Sequence, residues 1–254
     1  MTPKRTPKLI RVIRLLRLVF WLISTVLVLS WVFRQKDKEK STRYTQKYCQ
    51  KGLRILKLQI NTKGIRPTHL AGHLVVANHV SWLDILALES AYNMNFVAKQ
   101  EIQKWPLIGT LATNQGTVFI NRNERKDTAK INQHIEKALQ ENRTIAVFPE
   151  ARTSNGLSMR LFKSSLFQSA LNVSAPVQPI AIKFYDELGQ RTTRPAYIDG
   201  ISLLQSVWQV LGMRKGSIEL TLLPTVNMNI PDLSRHEISK MAHQEIYTVI
   251  NQNN

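Results

Sequence analysis

Apolar and polar positions along the chain fall into three regimes. The first is a charge-free run of sixteen residues, LVFWLISTVLVLSWVF, from Leu18 to Phe33. As a helix it would be roughly 24 Å long at ~1.5 Å per residue, short of the ~30 Å hydrocarbon core of a bilayer. Leu15, Leu16 and a snorkelling Arg17 bring it close to spanning length. The second regime, STRYTQKYCQKGLRILKLQI (41–60), sets Tyr44, Tyr48, Leu53, Ile55, Leu56 and Leu58 among lysines and arginines. It reads as a second amphipathic element that merges into a strand near 55–60.

From residue 73 onward, short apolar runs alternate with helical patterns. Strands are expected at 73–78, 95–99, 116–122, 144–148, 177–184 and 217–224, and helices at 81–92, 127–142, around 162–171, and from about Ser234 to Ile250. In 127–142, Ile131, Ile135 and Leu139 recur every four residues, the mark of a one-faced surface helix. Alternation of this kind predicts an α/β fold: one domain with a mostly covered mixed sheet, behind an N-terminal membrane-anchoring helical segment. The boundary is expected at 62, leaving a basic anchoring segment 1–62 and a globular domain 63–254.

Charge sharpens the first regime. The chain carries a formal +18, and residues 1–63 hold 16 Lys+Arg against two acids, Asp37 and Glu39. A basic segment of this kind points to an anionic surface. Sixteen lipid-compatible residues have no use beside a phosphate backbone, so membrane lipid is the expected partner and nucleic acid is excluded. Arg11, Arg14 and Arg17 recur every third residue ahead of the run, and Trp21 and Trp31 sit near its ends, where interfacial aromatics are favoured. The run ends in SWVFRQK with no small-x-small cleavage site, which argues against a removable signal peptide. Six bases precede it and seven follow within twenty residues. Both flanks therefore look cytoplasmic, and an embedded, non-crossing anchor is favoured over a span. The single cysteine, Cys49, excludes an internal disulfide and reads as a buried residue. The six histidines show no metal-ligand spacing, so no metal is expected.

Three expected strands end in polar loops, ANH, INR and FPEAR, and sites in open α/β sheets are assembled at strand carboxyl ends. The first of these loops holds His79, with Asp84 five residues later. On one continuous helix that spacing separates side chains by ~140°, so a helix must begin between them. Ser81 with Asp84 gives an S-x-x-D variant of the capping box, and a side chain at that third position leans back toward the N-terminus. The carboxylate can then bond one imidazole nitrogen and leave the other facing a cleft, the base-plus-orienter arrangement of general-base catalysis. A Ser–Asp cap with an incidental histidine accounts for the same spacing without chemistry.

The motifs around this pair resemble those of the glycerolipid acyltransferases, the family containing lysophosphatidate acyltransferase. NHVSWLD is similar to the family's N-H-x-x-x-x-D motif. FVAKQEIQKWPLIG (96–109) is similar to its lysine-containing segment, GTVFINR (116–122) to its second motif, FPEARTSNG (148–156) to its third, and APVQPIAI (175–182) to its fourth. The resemblance implies His79 as base with Asp84 as its orienting partner. It also implies substrate contacts from Lys99, Gly116, Phe119, Arg122, Glu150, Arg152 and Lys163, with Pro176 and Pro179 shaping the floor. Arginine suits a bidentate grip on phosphate or carboxylate. The third motif departs from the usual F-P-E-G-T-R-S: Ala151, Arg152 and Thr153 stand in its last half, so the glycine is gone and the arginine sits one place early. Ser154, Gly156 and RLFKSSLF (160–167) resemble the branch that acylates lyso-ornithine lipid and some lysophospholipids.

The implied reaction is transfer of an acyl group from coenzyme A or acyl carrier protein to a lysolipid hydroxyl, without a resident cofactor. Lysophosphatidate is the first acceptor and lyso-ornithine lipid the alternative, at the cytoplasmic face of a bacterial inner membrane. Free N–H groups in the first turn after Ser81 are candidates to hold the tetrahedral oxyanion. A serine hydrolase would need G-x-S-x-G, which does not occur. A membrane-tethered, catalytically inactive scaffold is the remaining rival.

Overall fold

The computed structural model describes residues 5–65, 69–120, 125–198 and 200–252, with the backbone alone over 125–128. Two helices come first, α1 (Lys8–Arg34) and α2 (Lys38–Ile55). The seven strands are β1 (Leu58–Gly64), β2 (Leu74–Ala77), β3 (Asn95–Lys99), β4 (Val118–Ile120), β5 (Ile145–Val147), β6 (Val177–Tyr185) and β7 (Gly216–Leu222). Between and after them lie α3 (Leu83–Ala91), α4 (Gln100–Gln103), α5 (Ile108–Gln115), α6 (Arg125–Gln140), α7 (Phe167–Asn172), α8 (Leu203–Leu211) and α9 (Arg235–Asn251). A 3₁₀ turn at Ser164–Leu166 leads into α7.

The strands form one mixed sheet in the order β1-β7-β6-β2-β5-β3-β4. Every described pairing is parallel except β6 with β7. Parallel strands need cover on both faces and read as continuous apolar runs, and β2, β5 and β6 are buried at every residue. One face packs Val75, Ala77, Ile180 and Ile182 against Leu83, Leu88, Leu53 and Val210 from α3, α2 and α8. The other packs Leu74, Val76 and Val147 against Ile135, Phe167, Ile238 and Ile246 from α6, α7 and α9. The result is a three-layer α/β/α fold.

The boundary expected at 62 falls inside β1, which pairs with β7 along its whole length. The N-terminal segment is likewise part of the packed fold. Leu18 and Trp21 of α1 and Leu53 and Ile55 of α2 belong to the core on one face of the sheet. Two details of the basic helix entry differ from expectation. Arg14 points inward, donating to the carbonyls of Leu211 (3.4 Å), Met213 (2.7 Å) and Arg214 (3.3 Å). Those carbonyls lie at or just past the end of α8, where a cation satisfies otherwise orphaned acceptors. Arg11 lies over the Trp208 ring and donates to the Thr6 carbonyl. Trp21 is also turned inward, its indole N–H donating to the Tyr48 carbonyl at 2.8 Å. Trp31 remains exposed.

Trp21 explains the glycine in the middle of α2. A Cβ at Gly52 would stand 2.6 Å from the Trp21 ring, inside van der Waals contact. Glycine inside a helix ordinarily costs about 0.5–1 kcal/mol relative to alanine. Here Gly52→Ala has the opposite sign, because it pushes α1 off α2. The expected outcome in chemical or thermal unfolding is a destabilisation of about 1–3 kcal/mol, with a shift in tryptophan emission as Trp21 becomes exposed.

Glu89 of α3 is an acid buried in the core, accepting from Gln115 at the end of α5. Burial pushes its carboxyl well above the ordinary carboxylate range, with hydrogen bonds from Met94 and Gln115 pulling the other way. A raised native pKa means the unfolded chain ionises first as pH rises, so stability is lost between the ordinary carboxylate range and the raised value. Glu89→Gln keeps the shape without the titration. Its melting temperature should exceed wild type at about pH 8 and lose that advantage at about pH 4. An equal offset at both pH values would show that Glu89 does not titrate in this way.

Candidate active site

β2 delivers the chain to the sheet edge and Asn78 locks it there. The Asn78 amide donates to the Ile182 carbonyl (3.0 Å) and accepts from the Ile182 N–H (2.7 Å), extending the β2–β6 ladder through a side chain. The next residue, His79, is held at every backbone group. Its N–H donates to Glu150 Oε1 at 2.7 Å, and its carbonyl accepts from the Ser154 N–H at 2.7 Å. Val80 follows with its carbonyl bonded to the Tyr197 N–H.

His79 Nδ1 lies 2.8 Å from Asp84 Oδ2. The same oxygen accepts the backbone N–H groups of Val80 (2.7 Å) and Ser81 (2.9 Å). Asp84 is fully buried, whereas 21% of the His79 side chain reaches solvent. A carboxylate can only accept, so Nδ1 carries the hydrogen and Nε2 presents its lone pair. The capping box expected from Ser81 is half formed. Asp84 reaches back to the Ser81 N–H, but the Asp84 N–H that the serine hydroxyl would cap is taken by the Ser81 carbonyl at 3.1 Å. The helix N-cap is Trp82, whose side chain caps no backbone group of the helix and donates instead to the Ser206 hydroxyl at 3.1 Å.

The imidazole stacks on Phe148, with centroids 4.0 Å apart and planes at 12°, and Phe148 in turn stacks on Phe96. Phe148 lies one residue past the end of β5, so two strand ends and one helix start fix the ring. Glu150, two residues further, is buried; its Oε2 accepts from the Arg160 N–H at 2.8 Å. Burial raises its pKa, and the two N–H bonds from Arg160 and His79 oppose the rise. Expected to contact substrate, Glu150 is here a brace between the His79 backbone and the loop at 160.

Glu150 also borders a cleft of about 370 Å³. Lys99 at the end of β3, Arg152, Arg160 and Lys163 line it, with Glu101 as the second acid. The early arginine of the third motif therefore stays beside this cleft. Ala151 adopts φ 63°, in the left-handed region that favours glycine. That explains why the motif usually has glycine there and why alanine, the smallest side chain with a Cβ, is the residue that replaces it. Two functional candidates lie inside recognisable motifs without an expected role of their own: Phe148 in the third motif and Arg160 at the start of RLFKSSLF.

The other expected site residues separate. Phe119 lies within β4, opposite Ala98 in the register and half-buried. Strand alternation puts it on the face away from Val118 and Ile120. Gly116 does not join the site: it ends α5 with φ 84°, before β4 begins. Its carbonyl accepts from Arg143 Nη2 at 3.0 Å, and a Cβ would lie 2.6 Å from that nitrogen. It thus shapes the opposite sheet edge from His79. Pro176 and Pro179 build the sheet itself, accepting from Leu74 and Leu223 through their carbonyls. Arg122 lies outside the described residues.

This architecture has counterparts among known proteins. The acyltransferase family model matches residues 59–183, a span that holds His79, Asp84, Phe148, Glu150 and the cleft. A 1-acyl-sn-glycerol-3-phosphate acyltransferase of Neisseria gonorrhoeae is 41% identical over 210 residues, covering 83% of this chain and 82% of the relative. A lyso-ornithine lipid O-acyltransferase of Pseudomonas aeruginosa is 36% identical over 173 residues, covering 68% and 66%. The crystal structure of the 1-acyl-sn-glycerophosphate acyltransferase of Thermotoga maritima shares the fold. Its TM-score is 0.70 over 95% of this chain and 97% of that one, at 20% identity. With the histidine–aspartate pair assembled at the strand edge and relatives this similar along most of the chain, the protein belongs to the acyltransferase family and is an acyltransferase enzyme.

Proposed function

We propose that the protein transfers a fatty acyl group from a thioester, on coenzyme A or acyl carrier protein, to the free hydroxyl of lysophosphatidate, with His79 as general base. The observation that carries this reading is the His79–Asp84 pair: Nδ1 is committed to a buried carboxylate, and Nε2 is left with a lone pair. Nε2 takes the acceptor's hydroxyl proton as that oxygen attacks the thioester carbonyl. The tetrahedral adduct collapses, the carbon–sulfur bond breaks, and the thiolate takes the proton from the imidazolium. The products are the diacyl lipid and a free thiol, and no covalent enzyme intermediate is needed. Oxyanion donors at the loop do not include Val80 and Ser81, whose N–H groups are spent on Asp84.

The acceptor follows from charge. Four cations, Lys99, Arg152, Arg160 and Lys163, face two acids around the cleft that Glu150 joins to His79. A phosphate monoester suits that excess, and guanidinium groups grip it in bidentate fashion. The similarity to 1-acyl-sn-glycerol-3-phosphate acyltransferases across four-fifths of the chain supports the same acceptor. Lyso-ornithine lipid is the second reading, favoured by the altered third motif and the Pseudomonas aeruginosa relative. An assembled pair beside a charged cleft argues against an inert scaffold.

The enzyme works at a membrane surface on this reading. α1 is the described helix long and apolar enough to cross a bilayer, with a mean hydropathy of 2.2. Its buried side is docked on α2 and α8, while Leu9, Ile13, Leu16, Phe20, Leu27 and Trp31 remain exposed. A helix held along the domain and apolar on its outer side lies in the interface. Basic residues on both flanks keep it at the cytoplasmic leaflet of a bacterial inner membrane.

Two tests address the chemistry and the acceptor separately. In purified protein given acyl donor and lysophosphatidate, His79→Ala and Asp84→Asn should each lower kcat by roughly 10²–10⁴, with circular dichroism showing an intact fold. Undiminished turnover by His79→Ala ends the general-base assignment. Arg160→Ala leaves the N–H to Glu150 in place and removes only the guanidinium. It should lower kcat/KM for lysophosphatidate by about tenfold to a hundredfold, the worth of one charged hydrogen bond. Wild-type preference for lyso-ornithine lipid over lysophosphatidate in the same assay would replace the acceptor.

A further inference from the structure

A second concave region lies away from the cleft, where α1, the end of α2 and the starts of β1 and β7 meet. It is a groove of about 990 Å³. Leu16, Phe20 and Trp21 of α1 give it an apolar wall, and Arg17, Lys51, Arg54, Lys57 and Lys215 give it a cationic one. Asp186 and Glu187 are the acids at its border, and Asp186 is occupied by the N–H groups of Leu188 and Gln190. Among the described residues, no carboxylate lies within ion-pairing distance of any of the five cations. Arg54 and Lys57 stand at the end of α2, where carbonyls favour cations without any ligand. That account does not reach Arg17, Lys51 or Lys215, which come from other helix turns and another loop to the same groove.

We propose that this groove is a binding site for an anionic phospholipid of the membrane, separate from the acyl-transfer site. The phosphate sits among the cations and the acyl chains run out along Leu16 and Phe20. Those two side chains are 65% and 71% exposed and continue the outer apolar face of α1, so the groove opens where hydrocarbon is expected. Two chemistries side by side, an apolar wall and a cationic wall, fit an amphiphile. A soluble acidic protein would use the cations but would leave the apolar wall of Leu16 and Phe20 without a counterpart. Placement adds a consequence. β6 runs parallel to β2, and its end, Tyr185, pairs with Ser217 at the start of β7. The groove and His79 therefore lie toward the same end of the sheet, three strand spacings or ~15 Å apart across the strands and about 10 Å offset along them. A headgroup held in the groove keeps that end, and the imidazole with it, at headgroup depth.

The test uses the full chain. Native mass spectrometry of detergent-released protein should retain one phosphatidylglycerol per chain. Arg54→Gln with Lys57→Gln should lose it, and Lys215→Gln, in a loop, repeats the test without touching a helix. In vesicle flotation the double variant should bind phosphatidylglycerol-rich vesicles roughly tenfold or more weakly. The same-charge control Arg43→Gln with Lys47→Gln, on α2 outside the groove, should stay within about threefold of wild type. Equal losses in the two pairs would mean diffuse attraction and no site. Retention of lipid by both groove variants overturns the proposal. So does inorganic phosphate displacing the bound lipid at equal concentration, or loss of acyl carrier protein binding with vesicle binding unchanged. Turnover of a soluble short-chain lysophosphatidate in detergent should be unaffected in the groove variants, which separates failure here from failure of the His79 mechanism.

Discussion

One oxygen organises the site. Asp84 Oδ2 collects the His79 imidazole and the N–H groups of Val80 and Ser81, all within 2.9 Å, in a position sealed from solvent. A buried carboxylate is costly unless its charge is met by donors, and here the donors are the loop and ring that chemistry requires to be fixed. Orientation of the histidine and folding of the strand-to-helix turn are therefore the same event. Nothing of the turn can rearrange without stranding the carboxylate, which keeps Nε2 aimed in one direction before any substrate arrives.

The sheet order sets what that nitrogen can meet. β2 lies between β6 and β5, and β3 lies beyond β5, so their carboxyl ends bring His79, Phe148, Glu150 and Lys99 to one edge. Glu150 links two of the loops by accepting from both His79 and Arg160. The cations of the cleft thus hang on the same backbone framework as His79. On the proposed mechanism, charge recognition and proton transfer are registered to each other through backbone N–H groups, which do not change rotamer.

Much of this was legible in the chain itself. The strand at 95–99 has the extent read from its apolar run, and the buried strands of the parallel part announce themselves as continuous Val, Ile and Leu between polar loops. α8 was not expected, although Ser202 and Gln205 form a complete capping box at its start; the signal was present in S-x-x-Q. α4 and α5 are short and polar and offer no periodicity to read. Gly116 and Glu150 carry a different lesson. Both lie in motifs that belong to the site, yet one ends a helix on the far edge and the other braces a backbone. A motif records which residues are constrained, and steric or hydrogen-bonding constraint is as binding as contact with substrate. Arg160 opens the RLFKSSLF segment, but only the folded loop brings it back to Glu150.

The N-terminal helix shows how sequence periodicity can mislead about direction. Arg11, Arg14 and Arg17 suggest a charged face turned to lipid headgroups, but Arg14 is buried against three carbonyls at or just past the end of α8. Thr25 is buried as well, while Leu9, Leu16, Phe20 and Leu27 are exposed. The helix is apolar on both sides: Leu18, Trp21, Leu29 and Val32 are buried beside Arg14 and Thr25, and large apolar groups also cover the outer side, where a helix of a soluble domain would carry polar ones. Patches of that size on a protein surface mark an interface. To thread such a helix through a bilayer, Arg14 would have to leave its carbonyls and Trp21 its place over Gly52, stranding polar groups in hydrocarbon at several kcal/mol each. A helix that stays docked loses nothing of this and, on the proposed reading, offers its outer face alone to lipid. The packing of α1 on the domain is thereby the physical argument for the proposed anchor to lie along a membrane and not across it.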